Sequence, residues 1–171
     1  MEERPIIITL KLDGDSQTFF NRLREQFFPP ERNYLKAHLT LFHHLPASKL
    51  SPIQEELNKL ATSISPFKLQ VEAPKSIGRG VAYPLLSDRL KAIHHQLQKQ
   101  WQTDLTSQDK QKLWPHITVQ NKVAPQQAKE LLQKLTHEPF PEKITALGFS
   151  LFYYNGGPWE WIEDISFSVE S

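Results

Sequence analysis

The chain lacks cysteine altogether, has one methionine and only six glycines in 171 residues, and carries no long apolar run. Without cysteine there is no disulfide scaffold, no cysteine zinc or iron–sulfur site and no thiol nucleophile. No stretch approaches the roughly 20 apolar residues of a membrane span. The opening MEERPIIITLKL has acids before its short apolar run, not the basic start and sustained apolar core of a signal peptide. A soluble, cytoplasmic protein is expected. Charge of one sign is also missing. Lys and Arg number 20 against 19 Asp and Glu, a net charge of +1. Long duplex nucleic acid is therefore not an expected partner, although a small phosphorylated ligand or a nucleic-acid end is allowed. Hydrophobic residues at 39% and charged residues at 23% suit one globular unit.

Two passages of similar order run along the chain. Ile6 to Leu12 is a β-branched strand ending at Asp13-Gly14. A helix capped by Asp15 or Ser16 runs to about Phe27, and Pro29-Pro30 stops it. Tyr34 to Pro46 alternates with period two, with Leu35, Ala37, Leu39 and Leu41 toward the core. Ser51-Pro52 opens a helix to about Thr62, and Phe67 to Val71 is a further strand. The order recurs as a strand over Gly80 to Leu85 and a helix capped by Ser87 or Asp88 to about Gln102. A strand in Lys112 to Ala124 and a helix from Pro125 to about Leu135 complete it. Ile144 to Val169 reads as a long hairpin turning at Asn155-Gly156-Gly157. An internal duplication is expected, with halves of about 1–78 and 79–171 forming one bilobal domain.

The repeat superposes two tripeptides, His38-Leu39-Thr40 and His116-Ile117-Thr118, at 116 − 38 = 78 positions apart. Residues i and i+2 of a strand share a face, so each motif offers an imidazole beside a hydroxyl. Related by a twofold axis, both sets would enter one cleft. That set suits phosphodiester chemistry: a neutral imidazole takes a proton, an imidazolium gives one, and two hydroxyls hold phosphate oxygens. No metal and no cofactor is required. Trp114 and Phe42 share the parity of the motifs and are candidates to wall the substrate, and Lys122 is a candidate phosphate contact. Other residues carry less. His43-His44 and His94-His95 read as surface or strand-end histidines. Ile77-Gly78-Arg79-Gly80 reads as a turn, and Trp101, Trp159 and Trp161 as core or hairpin packing.

These motifs resemble the two-histidine (2H) phosphoesterase superfamily, within it the 2'-5' RNA ligase-like and RNA 2',3'-cyclic phosphodiesterase proteins. HLTL at 38–41 and HITV at 116–119 carry the resemblance, with the Trp114-Pro115 lead-in and the YYNGGPW hairpin at 153–159. The resemblance implies an α+β fold of two pseudo-symmetric lobes. Each would be an antiparallel sheet with helices packed outside, around a central cleft. It implies His38 and His116 as the catalytic pair, with Thr40 and Thr118 binding phosphate. The implied substrates are cyclic phosphates or 2'-5' linkages on RNA ends or small nucleotides; the chain itself is expected to be a monomer. Characterised members tend to use the first histidine as acid and the second as base, but the near symmetry leaves that assignment open. Some RNA-acting members carry an aromatic residue soon after the first motif and an arginine soon after the second. This chain reads Phe42-His43-His44 and Gln120-Asn121-Lys122 there. A non-catalytic RNA-end or nucleotide-binding module and a histidine-metal hydrolase are the alternatives, the latter lacking an HExxH pattern.

Overall fold

A computed structural model describes residues 4–168. Eight strands and four α-helices follow in the order β1 (Ile6–Leu12), α1 (Gly14–Phe27), β2 (Leu39–Leu45), α2 (Leu50–Ala61), β3 (Phe67–Val71), β4 (Lys75–Ser76), β5 (Val81–Leu86), α3 (Asp88–Gln100), β6 (His116–Gln120), α4 (Pro125–Thr136), β7 (Lys143–Tyr154) and β8 (Trp159–Ser166). Setting aside the two-residue β4 and the final β8, strand–helix–strand–helix–strand occurs twice. Among the described residues no helix is long and apolar enough to cross a membrane.

All strand pairings are antiparallel. The sheet runs β2-β1-β7-β3-β5, with β6 on the free side of β5 and β8 on β7. The last strand of each passage pairs with the first strand of the other: β7 with β1, and β3 with β5. The path bends until its end strands, β2 and β6, come into contact. These are the strands that carry the two motifs.

Helix ends follow local chemistry. Asp13, not Asp15 or Ser16, caps α1 by accepting the Ser16 N–H, and Ser87 caps α3 by accepting the Leu90 N–H. Asp13 caps because its other oxygen also takes the Thr145 N–H, fixing the carboxylate between helix and sheet. The helices are crossed over the sheet. Helix α1 packs on β6 of the other passage, while α3 lies on β2, where His94 Nε2 bonds the Leu41 carbonyl. His94 is therefore buried, not on the helix surface as its sequence neighbours suggest.

Both motif strands are shorter than alternation predicts. Residues 34–38 and 112–115 are not strand. Their backbones are claimed by other partners: Gln17, Asn21 and Arg24 of α1 bond Ala37 and Leu35, and Leu85 N–H bonds the Pro115 carbonyl. Leu35 is consequently only half-buried.

Candidate active site

Each motif sits where its strand begins. Leu39 and Ile117 are fully buried, and the flanking His38, Thr40, His116 and Thr118 are half-buried on the opposite side of their own segments. Thr40 continues a polar row across four strands. In register it pairs with Thr9, Thr9 with Ser150, and Ser150 with Asp164.

The two imidazoles are held alike. His38 Nδ1 lies 2.8 Å from the Lys36 carbonyl, and His116 Nδ1 lies 2.7 Å from the Trp114 carbonyl. A carbonyl only accepts, so Nδ1–H is the donor in both rings and each Nε2 keeps its lone pair. In each case the acceptor is two residues upstream on the same chain segment, which fixes ring and tautomer together. Aromatic rings back both: Trp114 stacks on His116 at 4.1 Å between centroids, and Trp159 tilts against His38 at 4.6 Å.

The strand alternation breaks immediately after each threonine. In β2, Thr9 faces Thr40 but Ile8 faces Phe42, an extra residue at Leu41. In β6, Ala82 faces Thr118 but Val81 faces Gln120, an extra residue at Val119. A bulge of this kind turns everything beyond it to the other face. Phe42 therefore joins Ile8 on the core side. It is 0% exposed, stacked on His94 and edge-on to Trp101. The expected cleft-side Phe42 is thus corrected: it is a core residue and cannot touch a substrate. Gln120 is likewise buried, with its Oε1 unpartnered among the described residues. Just beyond Phe42, Asp109 accepts the His43 Nδ1–H at 3.1 Å and both the His43 and His44 backbone N–H groups.

Trp114 is 44% exposed beside His116, in the position its parity predicts. Lys122 lies past the end of β6 in a turn, exposed, with φ of 62°. No group of three or more His, Asp or Glu side chains gathers as metal donors among the described residues.

Two features escaped sequence reasoning. The first is Arg24. It is 4% exposed, yet no carboxylate pairs with it among the described residues. Its Nε donates to Asn33 Oδ1 and the Leu35 carbonyl, its Nη1 to the Thr118 carbonyl, and it lies over the Phe28 ring. One guanidinium thus ties the loop before the first motif to the second motif. Eleven residues past its cap, Asp13, it corresponds to Gln98 eleven past Ser87. Gln98 bonds the Asp109 and Gln111 carbonyls without a charge. Burial lowers the Arg24 pKa to about 10, which still leaves it charged at neutral pH. The sequence signal was a polar stripe at Gln17, Asn21 and Arg24, at helical spacing. The second is the aromatic hairpin: Trp159 packs on His38, and Trp161 is 61% exposed.

Burial depresses His38 to about 4. The Lys36 carbonyl opposes that, and the Arg24 guanidinium adds to it. His116 is lowered as well, chiefly by burial, with a contribution from His43. Both rings are neutral proton acceptors at pH 7 when no anion is bound. The buried Arg24 guanidinium therefore sets a positive charge behind the two neutral rings, although the whole chain is nearly neutral.

A family model for the 2'-5' RNA ligase superfamily matches residues 12–158, spanning both motifs. The chain belongs to that superfamily. Solved structures of the same fold include TT0787 of Thermus thermophilus, with a TM-score of 0.69 at 16% identity, covering 98% of this chain and all of that one. Escherichia coli LigT complexed with 3'-AMP gives a TM-score of 0.61 at 18% identity, again over 98% of this chain and all of LigT. A structure described as a phosphoesterase gives 0.59 at 17% identity, with the same coverage. No curated protein sequence matches the chain. At these identities the structures establish the superfamily fold, and the residue roles rest on this chain's own geometry.

Proposed function

We propose that this protein is a metal-independent phosphodiesterase. In this reading it opens 2',3'-cyclic phosphates, or cleaves 2'-5' linkages, on RNA ends or small nucleotides. The observation that carries the reading is the matched pair of imidazoles. Each has its Nδ1–H committed to a backbone carbonyl, its Nε2 uncommitted and a threonine hydroxyl beside it. One neutral Nε2 removes a proton from water as its oxygen attacks phosphorus. The other ring, protonated, donates to the ribose oxygen as the P–O bond breaks, leaving a phosphomonoester and a hydroxyl. The substrate's negative charge raises both depressed pKa values, which lets one ring carry that proton. Thr40 and Thr118 donate to non-bridging oxygens. Trp114 walls the second motif and Lys122 supplies an exposed cation beyond it.

Structures of LigT with 3'-AMP, NADP+ and ATP support a nucleotide ligand. In this reading the chain works as one bilobal monomer in the cytoplasm, with halves of about 1–78 and 79–171. The test is a screen of 2',3'-cyclic nucleotides, cyclic-ended RNA and 2'-5' oligonucleotides, with product regiochemistry determined. His38→Ala and His116→Ala should each lower the rate by at least about 10²-fold with the fold retained. Tight binding of these compounds with no turnover by the intact protein would replace the enzyme with a binding module.

A further inference from the structure

The two motifs are alike, but their flanks are not. Beside His116 stands the single indole of Trp114. Beside His38 opens a cavity of about 610 Å³, floored by the concave face of β1, β7 and β8 and closed by the loop before the first motif. That volume suits a nucleoside. Tyr34 and Trp161 stand on its wall, each 61% exposed, and Phe152 and Trp159 also line it. Phe152 pairs in register with Trp161, so their rings share a face. Large aromatic rings left this open keep most of their apolar surface in water, surface that a planar ligand would cover.

The polar groups of the cavity are few and oriented. Asp164 Oδ1 accepts from Ser150 Oγ at 2.7 Å and Trp161 Nε1 at 3.0 Å, while Lys11 lies 3.4 Å from Oδ2. The carboxylate is thereby fixed at the end of the polar row that starts at Thr40. Its pKa is held below the usual carboxylate range by those bonds and by Lys11, against the opposing effect of burial. It remains ionised at neutral pH and accepts N–H groups.

We infer that this cavity is the nucleobase subsite, holding a base with an exocyclic amine between Tyr34 and Trp161 with Asp164 at its edge, and so placing the nucleoside on the His38 side of the phosphate. The inference rests on the phosphodiesterase reading for the phosphate's position, and on the cavity itself for the base. A uracil base, whose carbonyls would face the carboxylate, fits less well than adenine or cytosine.

The experiment compares adenosine 2',3'-cyclic phosphate with the base-free methyl riboside 2',3'-cyclic phosphate. In parallel, adenosine alone is titrated while tryptophan fluorescence is followed. The intact protein should favour the adenosine substrate in kcat/KM. Trp161→Ala and Tyr34→Ala should each shrink that preference by about tenfold or more, as stacking on one aromatic face provides. Trp161→Phe should restore most of it. Adenosine should quench the intact protein's fluorescence. A preference that survives both alanine variants, or no adenosine response, overturns the subsite. Adenosine bound at Trp161, with no turnover of either cyclic phosphate, of cyclic-ended RNA or of 2'-5' oligonucleotides, overturns the phosphodiesterase reading and leaves the subsite standing.

Discussion

His38 should titrate near 4, and its titration should be visible in the stability of the whole protein. In an unfolded chain a histidine titrates near 6.5. Burial, Arg24, His116 and His43 bring the folded value to about 4. Above pH 6.5 the ring is neutral in both states and contributes no pH dependence. Between 6.5 and about 4 the unfolded chain binds a proton that the folded one refuses. Stability is therefore complete above 6.5 and falls as the pH drops through the folded value. That gap is worth about 3 kcal/mol at the acid end. Urea melts at pH 7 and pH 4 of the intact protein and of His38→Gln isolate this effect. His116 and His94 are also lowered and act in the same direction, but they are common to both proteins. The intact protein should lose about 3 kcal/mol more than the variant. An NMR titration of the His38 ring should give the same midpoint, and Arg24→Gln should move that midpoint upward. A His38 midpoint at 6 or above, or equal acid losses in the two proteins, would refute the electrostatic account of the cleft.

The remaining expectations are simpler. Phe42→Ala should cost about 3–5 kcal/mol in a denaturant melt, the usual range for emptying a fully buried aromatic site, because Phe42 is core. Gly80→Ala places a Cβ against the Gln120 backbone carbonyl across the β5–β6 pair, so it should lower stability by roughly 1–3 kcal/mol and disturb the second motif. Turnover should persist in a strong chelator, and loss restored by one divalent ion would contradict acid–base catalysis by the two histidines alone.

Periodicity made Leu39, Thr40, Ile117 and Thr118 readable, because alternation depends only on neighbours along the chain. Alternation alone puts Phe42 on the wrong face because a bulge depends on the partner strand: one residue too many opposite Ile8 reverses the face, and nothing in FHH records it. The burial of His94 is hidden for a similar reason, since the strand it packs on belongs to the other half of the chain. The helix boundaries came within a few residues because prolines and capping side chains act locally. Arg24 announced itself only as a polar stripe, and its target, the Thr118 carbonyl, lies 94 residues away. Trp161 is an exposed aromatic on a hairpin, and its purpose needs the cavity beside it.

The exchange of strands between the two halves also sets a schedule for synthesis. Of these eight strands β1 leaves the ribosome before the others, and six of its seven residues are buried in the finished protein. One of its edges finds β2 soon, but the other belongs to β7, with Ile6 opposite Tyr153 and Leu12 opposite Ala146. At about 5–20 residues per second, that edge stays open for roughly 7–30 s after β1 emerges. During that interval an apolar strand presents free N–H and C=O groups, the form that invites pairing with another chain. Slowing translation late in the message should therefore lower the yield of soluble protein more than slowing it early. Truncation before β7 should yield an aggregating fragment, not a folded first half.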